Sequence, residues 1–467
     1  MKGFQPRREW IWSAGRPDGA SAYRPVMLDL RRAEVLTLIG RWDEAERCLQ
    51  RDYECTGQTA DRPLTADCLL HLATIVKKKG NYQAAQRYLG SALALYEAMQ
   101  DRSGSAKAIG GLGDIHYYLS EYPQAIDCYQ RQLAAARECR DQDQAALALQ
   151  SVGVVHKRQG NYDLALQCQQ QSLAIATAAG NRRAIGHING NIGTVYYYLH
   201  DLAQTLRCYQ VDLAIAQELG DTQAASAALG NLGNLYADLK DYQRSLEYYH
   251  QSEAIFERLG DKRALVINYD SLASIYLSLG RLDEARRYLE REMPLIDALG
   301  DRIGLVLALG HWAELHAAQG ATDKAEADCV KAIELGRSID LKYYLSSIVL
   351  QLADVRFQMG RRDEALAGCR EALPMLQQDG RDNLAFTCQL LEARITATGD
   401  LPQALARLQT LLAQAADDEQ RADALFALYQ ITGERRYAQD AMVIYQSLLQ
   451  TCPLDRYRRA LQELAGS

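Results

Sequence analysis

The sequence predicts an all-α fold, an α-solenoid of about eleven helix-turn-helix repeats, and three observations carry that expectation. A small residue in a Gly-x-aromatic/Leu-x-x-Ala pattern returns at 40-residue steps, at Ala45, Ala85, Ala125, Ala165, Thr205, Ser245, Ala285, Ala325 and Ala365. Five residues before it stands a turn-forming or polar residue: Gly40, Gly80, Ser120, Gly160, His200, Lys240, Gly280, Gly320 and Gly360. Twelve residues before it the side chain is always small, from Ala33 and Ala73 through Gly113, Gly153, Gly193 and Gly233 to Ala273, Ala313 and Ala353. Small residues facing one another let two antiparallel helices approach closely, since interaxial distance follows the contact side chains.

The elements then follow in chain order. Residues 1–25, with Arg7, Arg8, Trp10, Trp12 and Arg16, are too short for a domain and are expected to cap the first repeat. The apolar stretch Trp10-Ile11-Trp12 is too short for the core of a signal peptide. Residues 26–453 form the repeat array, regular to about residue 380 and irregular afterwards, where Gly399 and Ala404 imply a step of 39. Within it, Gly180-Asn181, Gly220-Asp221, Gly260-Asp261 and Gly300-Asp301 each pair a helix-ending glycine with a residue that caps the next helix. Pro294 and Pro374 fall late in equivalent second helices, where a lost amide bond is expected to kink the last turn. Residues 454–467 read as a polar C-terminal capping helix.

Composition agrees with such an array. With 48% hydrophobic and 24% charged residues, the 467-residue chain has material for a continuous core, which excludes disorder as its main state. No apolar run approaches the ~20 residues of a membrane span, so a soluble, cytoplasmic protein without membrane insertion is expected. A net charge of -7 is a poor start for a non-specific nucleic-acid or anionic-membrane binder. Eleven cysteines, odd in number and without Cys-x-x-Cys spacing, suit a reducing cytosol.

No Gly-rich phosphate loop, Gly-x-Ser-x-Gly or His-Glu-x-x-His appears, so no enzyme activity, cofactor or metal is expected. His116 and His156, equivalent residues of successive repeats, lie ~8–10 Å apart on stacked helices, too far to share a metal. Packing is their expected role, as for His316. Cys48, Cys128, Cys168 and Cys208 share one register with Tyr88, Tyr248 and Tyr288, which predicts space-filling rather than redox chemistry. No common register is assigned to Cys139, Cys329, Cys369, Cys388 and Cys452.

These residues resemble tetratricopeptide repeats (TPR), which place small residues at positions 8, 20 and 27 and aromatics at 11 and 24. With Ala85 and its equivalents as position 20, Tyr196, Tyr236 and Tyr276 occupy position 11, and Tyr129, Tyr209 and Tyr249 position 24. The 40-residue step and the segment Asn231-Leu232-Gly233-Asn234-Leu235-Tyr236 are similar to a subtype found in Pins-type polarity proteins and Rap-type bacterial regulators. The resemblance implies a right-handed superhelix whose first helices (A) line a concave groove and whose second helices (B) form the outside, and it implies binding rather than chemistry.

On helix A, positions 2, 5, 6, 9, 12 and 13 face away from helix B. Positions 12 and 13 alternate basic and aromatic pairs: Lys77-Lys78, Tyr117-Tyr118, Lys157-Arg158 and Tyr197-Tyr198. The resemblance to the polarity proteins adds asparagines at positions 6 and 9, which carry over to Asn191, Asn231 and Asn234 as peptide contacts. Glycine at position 5, in Gly110, Gly190, Gly230 and Gly310, costs a helix interior ~1 kcal/mol. Close contact between neighbouring repeats and an opened groove floor are both open explanations.

The expected function is a protein–protein interaction scaffold, adaptor or assembly factor holding a partner segment with acidic and aromatic or apolar side chains in the groove. A peptide-gated regulator of the Rap type is the alternative. An RNA-binding solenoid is a third reading, against which the net charge speaks. The oligomeric state is left open.

Overall fold

The computed structural model describes residues 29–37, 41–59 and 61–465; the segment 1–25 lies outside them. The described residues form helices and turns and contain no strand. The helices are α1 (29–37), α2 (Trp42–Thr59), α3 (Arg62–Lys78), α4 (Tyr82–Ala98), α5 (Arg102–Tyr118), α6 (Tyr122–Glu138), α7 (Gln142–Arg158) and α8 (Tyr162–Ala178). They continue with α9 (Arg182–Tyr198), α10 (Leu202–Leu219), α11 (Thr222–Asp238), α12 (Tyr242–Leu259), α13 (Lys262–Ser278), α14 (Leu282–Leu299), α15 (Arg302–Ala318) and α16 (Thr322–Ser338). The last are α17 (Lys342–Gln358), α18 (Arg362–Gln378), α19 (Asp382–Thr396), α20 (Leu401–Gln414), α21 (Asp418–Thr432), α22 (Arg435–Thr451) and α23 (Asp455–Ala465). Odd-numbered helices to α21 are the A helices and even-numbered ones the B helices, so eleven pairs and a terminal helix are described.

Turn chemistry sets this regularity. From residue 80 to residue 380 every twentieth residue has positive φ. Glycine supplies most of these sites, but Gln100, Ser120, Arg140, His200, Lys240 and Asp340 adopt the same left-handed conformation. The next residue is commonly Asp or Asn, whose carboxylate or amide oxygen accepts the amide hydrogen three residues on, as at Asp101, Asp141, Asn181, Asp201 and Asp261. One residue ends a helix and its neighbour starts the next, and the spacing is copied along the chain.

The chain divides into two compact units, Met1–Ala228 and Leu229–Ser467, with α11 contributing to both. In each unit the position-8 residue lies under position 24 of its own pair. A Cβ on Gly113 would stand 2.7 Å from the Tyr129 ring, one on Gly193 2.8 Å from the Tyr209 ring, and one on Gly233 2.9 Å from the Tyr249 ring. The expectation of small facing small is met in part: Ser245 at position 20 donates to the Gly233 carbonyl at 2.7 Å, while the larger demand for space comes from the ring at position 24. Cys329 and Cys369 also occupy position 24, are buried, and so do share a register, contrary to the sequence reading. Pro294 and Pro374 lie inside α14 and α18, which run on through them.

Position 27 departs from the small residue that the resemblance implies. Ser172, Ser252, Ala92, Ala332 and Ala372 keep it small, whereas Gln132, Asp212 and Glu292 put large buried polar groups there. Space for two of them comes from position 5: a Cβ on Gly110 would meet the Gln132 amide at 2.6 Å, and one on Gly190 the Asp212 carboxylate at 2.6 Å. Gly310 instead faces Ile348 of the next repeat at 3.6 Å, and Gly230 faces open space. Steric demand therefore accounts for glycine at Gly110 and Gly190, and not at Gly230 or Gly310.

In the second unit α23 packs on more than the last repeat. Tyr457 is fully buried in a cluster with Tyr445 and Cys452 that also takes in Tyr242 of α12. Glu419 of α21 forms ion pairs with both Lys240, in the α11–α12 turn, and Arg456 of α23. Arg458 donates to the Leu279 carbonyl at 3.4 Å, and a Cβ on Gly280 would lie 2.7 Å from that of Asp455. Residues 179 apart in sequence thus meet, and the second unit closes on itself as a ring. The expected polar cap is an amphipathic clasp.

Candidate functional site

In the first unit the ladder residues fall at the C-terminal ends of α3, α5, α7 and α9. Lys77 is neutralised within the unit: its Nζ lies 2.6 Å from Asp114 Oδ2, and Tyr129 donates to the other Asp114 oxygen at 2.9 Å. Lys78 is exposed. Tyr118 and Tyr198 stand at the rim, half-exposed, each stacked on the first tyrosine of the preceding B helix: Tyr82 with Tyr118 at 5.6 Å and 9°, Tyr162 with Tyr198 at 5.6 Å and 6°. Tyr117 and Tyr197 meet these rings edge-on at 5.7 and 5.6 Å.

Lys157 differs from Lys77. It is half-buried and has no carboxylate partner among the described residues. Burial, with the Arg158 charge beside it, holds its pKa below the ordinary lysine value. Arg158 takes the rim position between the two tyrosine pairs, and the Tyr117 hydroxyl that accepts its hydrogen bond raises its pKa. Asn191 is half-buried on α9. Asn231, half-buried, and Asn234, exposed, belong to the second unit, where Asn234 Oδ1 accepts from the Tyr249 hydroxyl at 2.6 Å.

The histidines and cysteines fill local roles. His116 Nδ1 lies 2.6 Å from Glu121 and His316 Nδ1 2.7 Å from Asp328, while His156 Nδ1 is buried without a hydrogen-bond partner. Among the described residues no group of three His, Cys, Asp or Glu side chains is placed to hold a metal. Burial raises the pKa of Cys128, Cys168 and Cys208, whereas Cys55 and Cys139 are exposed. A disulfide-exchange reagent is expected to label Cys55 and Cys139 quickly and Cys168 and Cys208 slowly in the native protein, because thiolate fraction and access both set the rate. Equally fast labelling of Cys168 would place that thiol on the surface.

Sequence reasoning missed a cavity in the second unit. It is a groove of 760 Å³, open to solvent on one side and lined mainly by the A helices of that unit. Positions 5, 6 and 9 of α13, α15 and α17 supply Asp270, His311, Glu314 and Asp354, and α19 supplies Arg394. His311 Nδ1 lies 2.9 Å from Asp270 Oδ1. Burial alone would lower the imidazole pKa, but Asp270, with Glu314 and Glu292 nearby, outweighs it and raises it to about 9. Glu292, fully buried behind Asp270 with both carboxyl oxygens unpartnered, is pushed up to about 9, chiefly by burial. Reading the same groove positions beyond the sixth repeat would have shown this change from asparagine and serine to charge.

Known proteins add to this geometry. No curated protein sequence matches the chain. The crystal structure of a Rap protein complexed with Competence and Sporulation Factor is similar at a TM-score of 0.53 and 18% identity, over 77% of this chain and 99% of that one. The apo form of the quorum sensor NprR from B. thuringiensis gives 0.51 and 15%, over 76% and 99%. A STAND signal-transduction ATPase with a tetratricopeptide repeat sensor from Pyrococcus horikoshii gives 0.55 and 15%, over 77% of this chain and 55% of that one. At these identities the likeness is one of fold. The tetratricopeptide repeat model matches residues 25–98, 104–178, 184–258 and 223–298, more than half of the sequence, and the chain belongs to the tetratricopeptide repeat family.

Proposed function

We propose that this protein is a cytoplasmic interaction scaffold that holds a segment of a partner protein on the inner face of its first unit, with Lys157 and Arg158 as the charged centre. One observation supports this above the others: Lys157 is a half-buried cation without an acidic partner, whereas Lys77 has Asp114. A carboxylate on a partner would offset the cost of keeping that ammonium out of water. Tyr117, Tyr118, Tyr197 and Tyr198 flank it with flat apolar area and hydroxyls, and Asn191 adds an amide. The partner segment is therefore acidic at its centre, with apolar or aromatic residues about three positions to either side, given ~8–10 Å between A helices and ~3.3 Å per extended residue. Asn231 and Asn234 are proposed contacts on the second unit's own inner face. For the Rap-type alternative, a gating peptide acting through superhelix pitch, the support is the fold likeness to NprR and a Rap protein.

The partner, captured by affinity from lysate of the source cells, tests the reading by surface resonance at two salt concentrations. Lys157→Glu with Arg158→Glu is expected to slow association and invert part of the salt dependence, as rim charges do. Tyr197→Ala is expected to speed dissociation about tenfold, as a truncated aromatic contact does. Unchanged affinity in folded variants would move the binding surface off the ladder.

A further inference from the structure

Two stretches of the first unit, 80 residues apart, build the same inner-face compartment with and without its internal partners. Around the third repeat it is a half-open space of 250 Å³ whose lining includes Lys77, Asp114, Tyr129, Gln132 and Gln144. Lys77 and Gln132 each have a partner there. Lys77 Nζ lies 2.6 Å from Asp114, which also accepts from the Tyr129 hydroxyl at 2.9 Å, and Gln132 Nε2 donates to Gln144 Oε1 at 2.9 Å. Around the fifth repeat the equivalent residues are Lys157, Thr194, Tyr209, Asp212 and Ala224. Tyr209 still donates to position 194, at 3.4 Å, but threonine offers Lys157 no counter-charge. Position 212 has changed from amide to acid, and Ala224 offers it no side-chain hydrogen bond.

Asp212 is 7% exposed and makes neither a hydrogen bond nor an ion pair among the described residues. Its carboxylate lies along a one-turn notch in α9: a Cβ on Gly186 would stand 3.2 Å from Oδ1, and one on Gly190 2.6 Å from Oδ2. The third repeat has Ala106 where Gly186 stands, so a further Cβ is missing beside the acid. Burial, with the like charge of Asp221, raises the Asp212 pKa to about 7, and no cation opposes them. Lys157 is not its counter-ion, since neither group acts on the other. A buried carboxylate that the protein leaves unanswered carries a cost that a cation removes.

We propose that Asp212 receives a lysine or arginine side chain of the partner segment bound on the inner face of the first unit. This rests on the scaffold reading and adds the partner's second charge: an acidic residue for Lys157 and a basic one for Asp212. The entering side chain is long, because the acid lies at the floor of the notch and only a methylene stem carries a cation that far from a backbone. Ala224 and Ala227 stand where the third-repeat compartment has Gln144 and Leu147, which frees volume for that stem.

Fluorescence anisotropy of the full chain with labelled, end-blocked nine-residue peptides tests the proposal. Each peptide has a central glutamate in an alanine and leucine background and carries either lysine or norleucine at one other position. The set therefore scans the separation of the two charges. Binding of a lysine peptide about tenfold tighter than its norleucine twin, at one or two positions and lost in Asp212→Asn, supports the site. Equal binding of every pair overturns it, and if glutamine in place of the central glutamate still weakens binding, the scaffold reading survives that loss. A lysine preference that persists with central glutamine supports the Asp212 site and counts against Lys157 as the charged centre. A preference retained in Asp212→Asn places the cation elsewhere and overturns the proposal, as does binding of no peptide. Asp212→Asn is expected to leave the urea midpoint unchanged or higher, because the carboxylate it removes has no partner, so a lost preference reports binding rather than folding. If that variant fails to fold, Ala224→Gln decides: it restores the third-repeat amide beside position 212 and is expected to lower the lysine preference about tenfold, and an undiminished preference overturns the proposal.

Discussion

Replacing Tyr457 by alanine is expected to remove about 3–5 kcal/mol from the stability of the second unit, the range for truncating a fully buried aromatic residue. Tyr457 has no exposed surface, packs 5.8 Å from the Tyr445 ring at 37°, and carries the Arg456 guanidinium 5.0 Å from its own ring centre. Its hydroxyl makes only a long contact, 3.5 Å to Arg456, so Tyr457→Phe is expected to cost less than about 1 kcal/mol. The difference isolates ring packing from hydrogen bonding. Because the cluster under this ring includes Tyr242 from the sixth repeat, its loss also loosens a contact between distant parts of the sequence. Amide hydrogen exchange in the turns at 240–242 and 279–280 is expected to accelerate in Tyr457→Ala along with a lower urea midpoint. A lower midpoint without faster exchange in those turns would mean that α23 stabilises only the last repeat and that the ring does not depend on it.

That clasp was not legible in the sequence, and the reason is physical. Period, turn positions and the small residues at positions 8 and 20 are local features, each fixed within about one repeat, and the structure follows them from residue 80 to residue 380. Whether the array returns on itself depends on small rotations between repeats accumulated over 179 residues, which no single position encodes. The lining of the cavity was half legible: Asp270, His311, Glu314 and Asp354 stand at groove positions that can be counted out, but their meeting around one open cavity follows from closure. In the first unit the basic and aromatic alternation was legible, while the neutralisation of Lys77 was not, since Asp114 sits on the next A helix, 37 residues on. Position 27 shows a further limit. The family pattern implied alanine-sized residues, and only the structure shows that Gly110 and Gly190 make room for Gln132 and Asp212.

The pairing of positions 8 and 24 gives the prediction with the widest reach. Where position 24 is Tyr129, Gln169, Tyr209 or Tyr249, position 8 is Gly113, Gly153, Gly193 or Gly233. Where it is Leu49, Leu89, Leu289, Cys329 or Cys369, position 8 is Ala33, Ala73, Ala273, Ala313 or Ala353. A single methyl group is thus exchanged against the size of the side chain across the helix pair, as close packing requires. Gly193→Ala has two opposed effects: alanine improves helix propensity by ~1 kcal/mol, but its methyl would stand 2.8 Å from the Tyr209 ring, and overpacking costs ~1–3 kcal/mol. The net is expected to be destabilising, and Gly193→Leu more strongly so, as is Gly233→Leu against Tyr249. Tyr209→Leu alone leaves a cavity and loses the 3.4 Å hydrogen bond to Thr194, so it too destabilises. Together, Gly193→Ala and Tyr209→Leu recreate the Ala73 and Leu89 arrangement, in which both partners are buried in one core. The double variant is therefore expected to be more stable than the sum of its parts by about 1–3 kcal/mol, measured by urea unfolding of the wild type, both single variants and the double. Simple additivity would show that the two positions do not share one packing volume, and that glycine at position 8 answers a different demand from the ring it lies beneath.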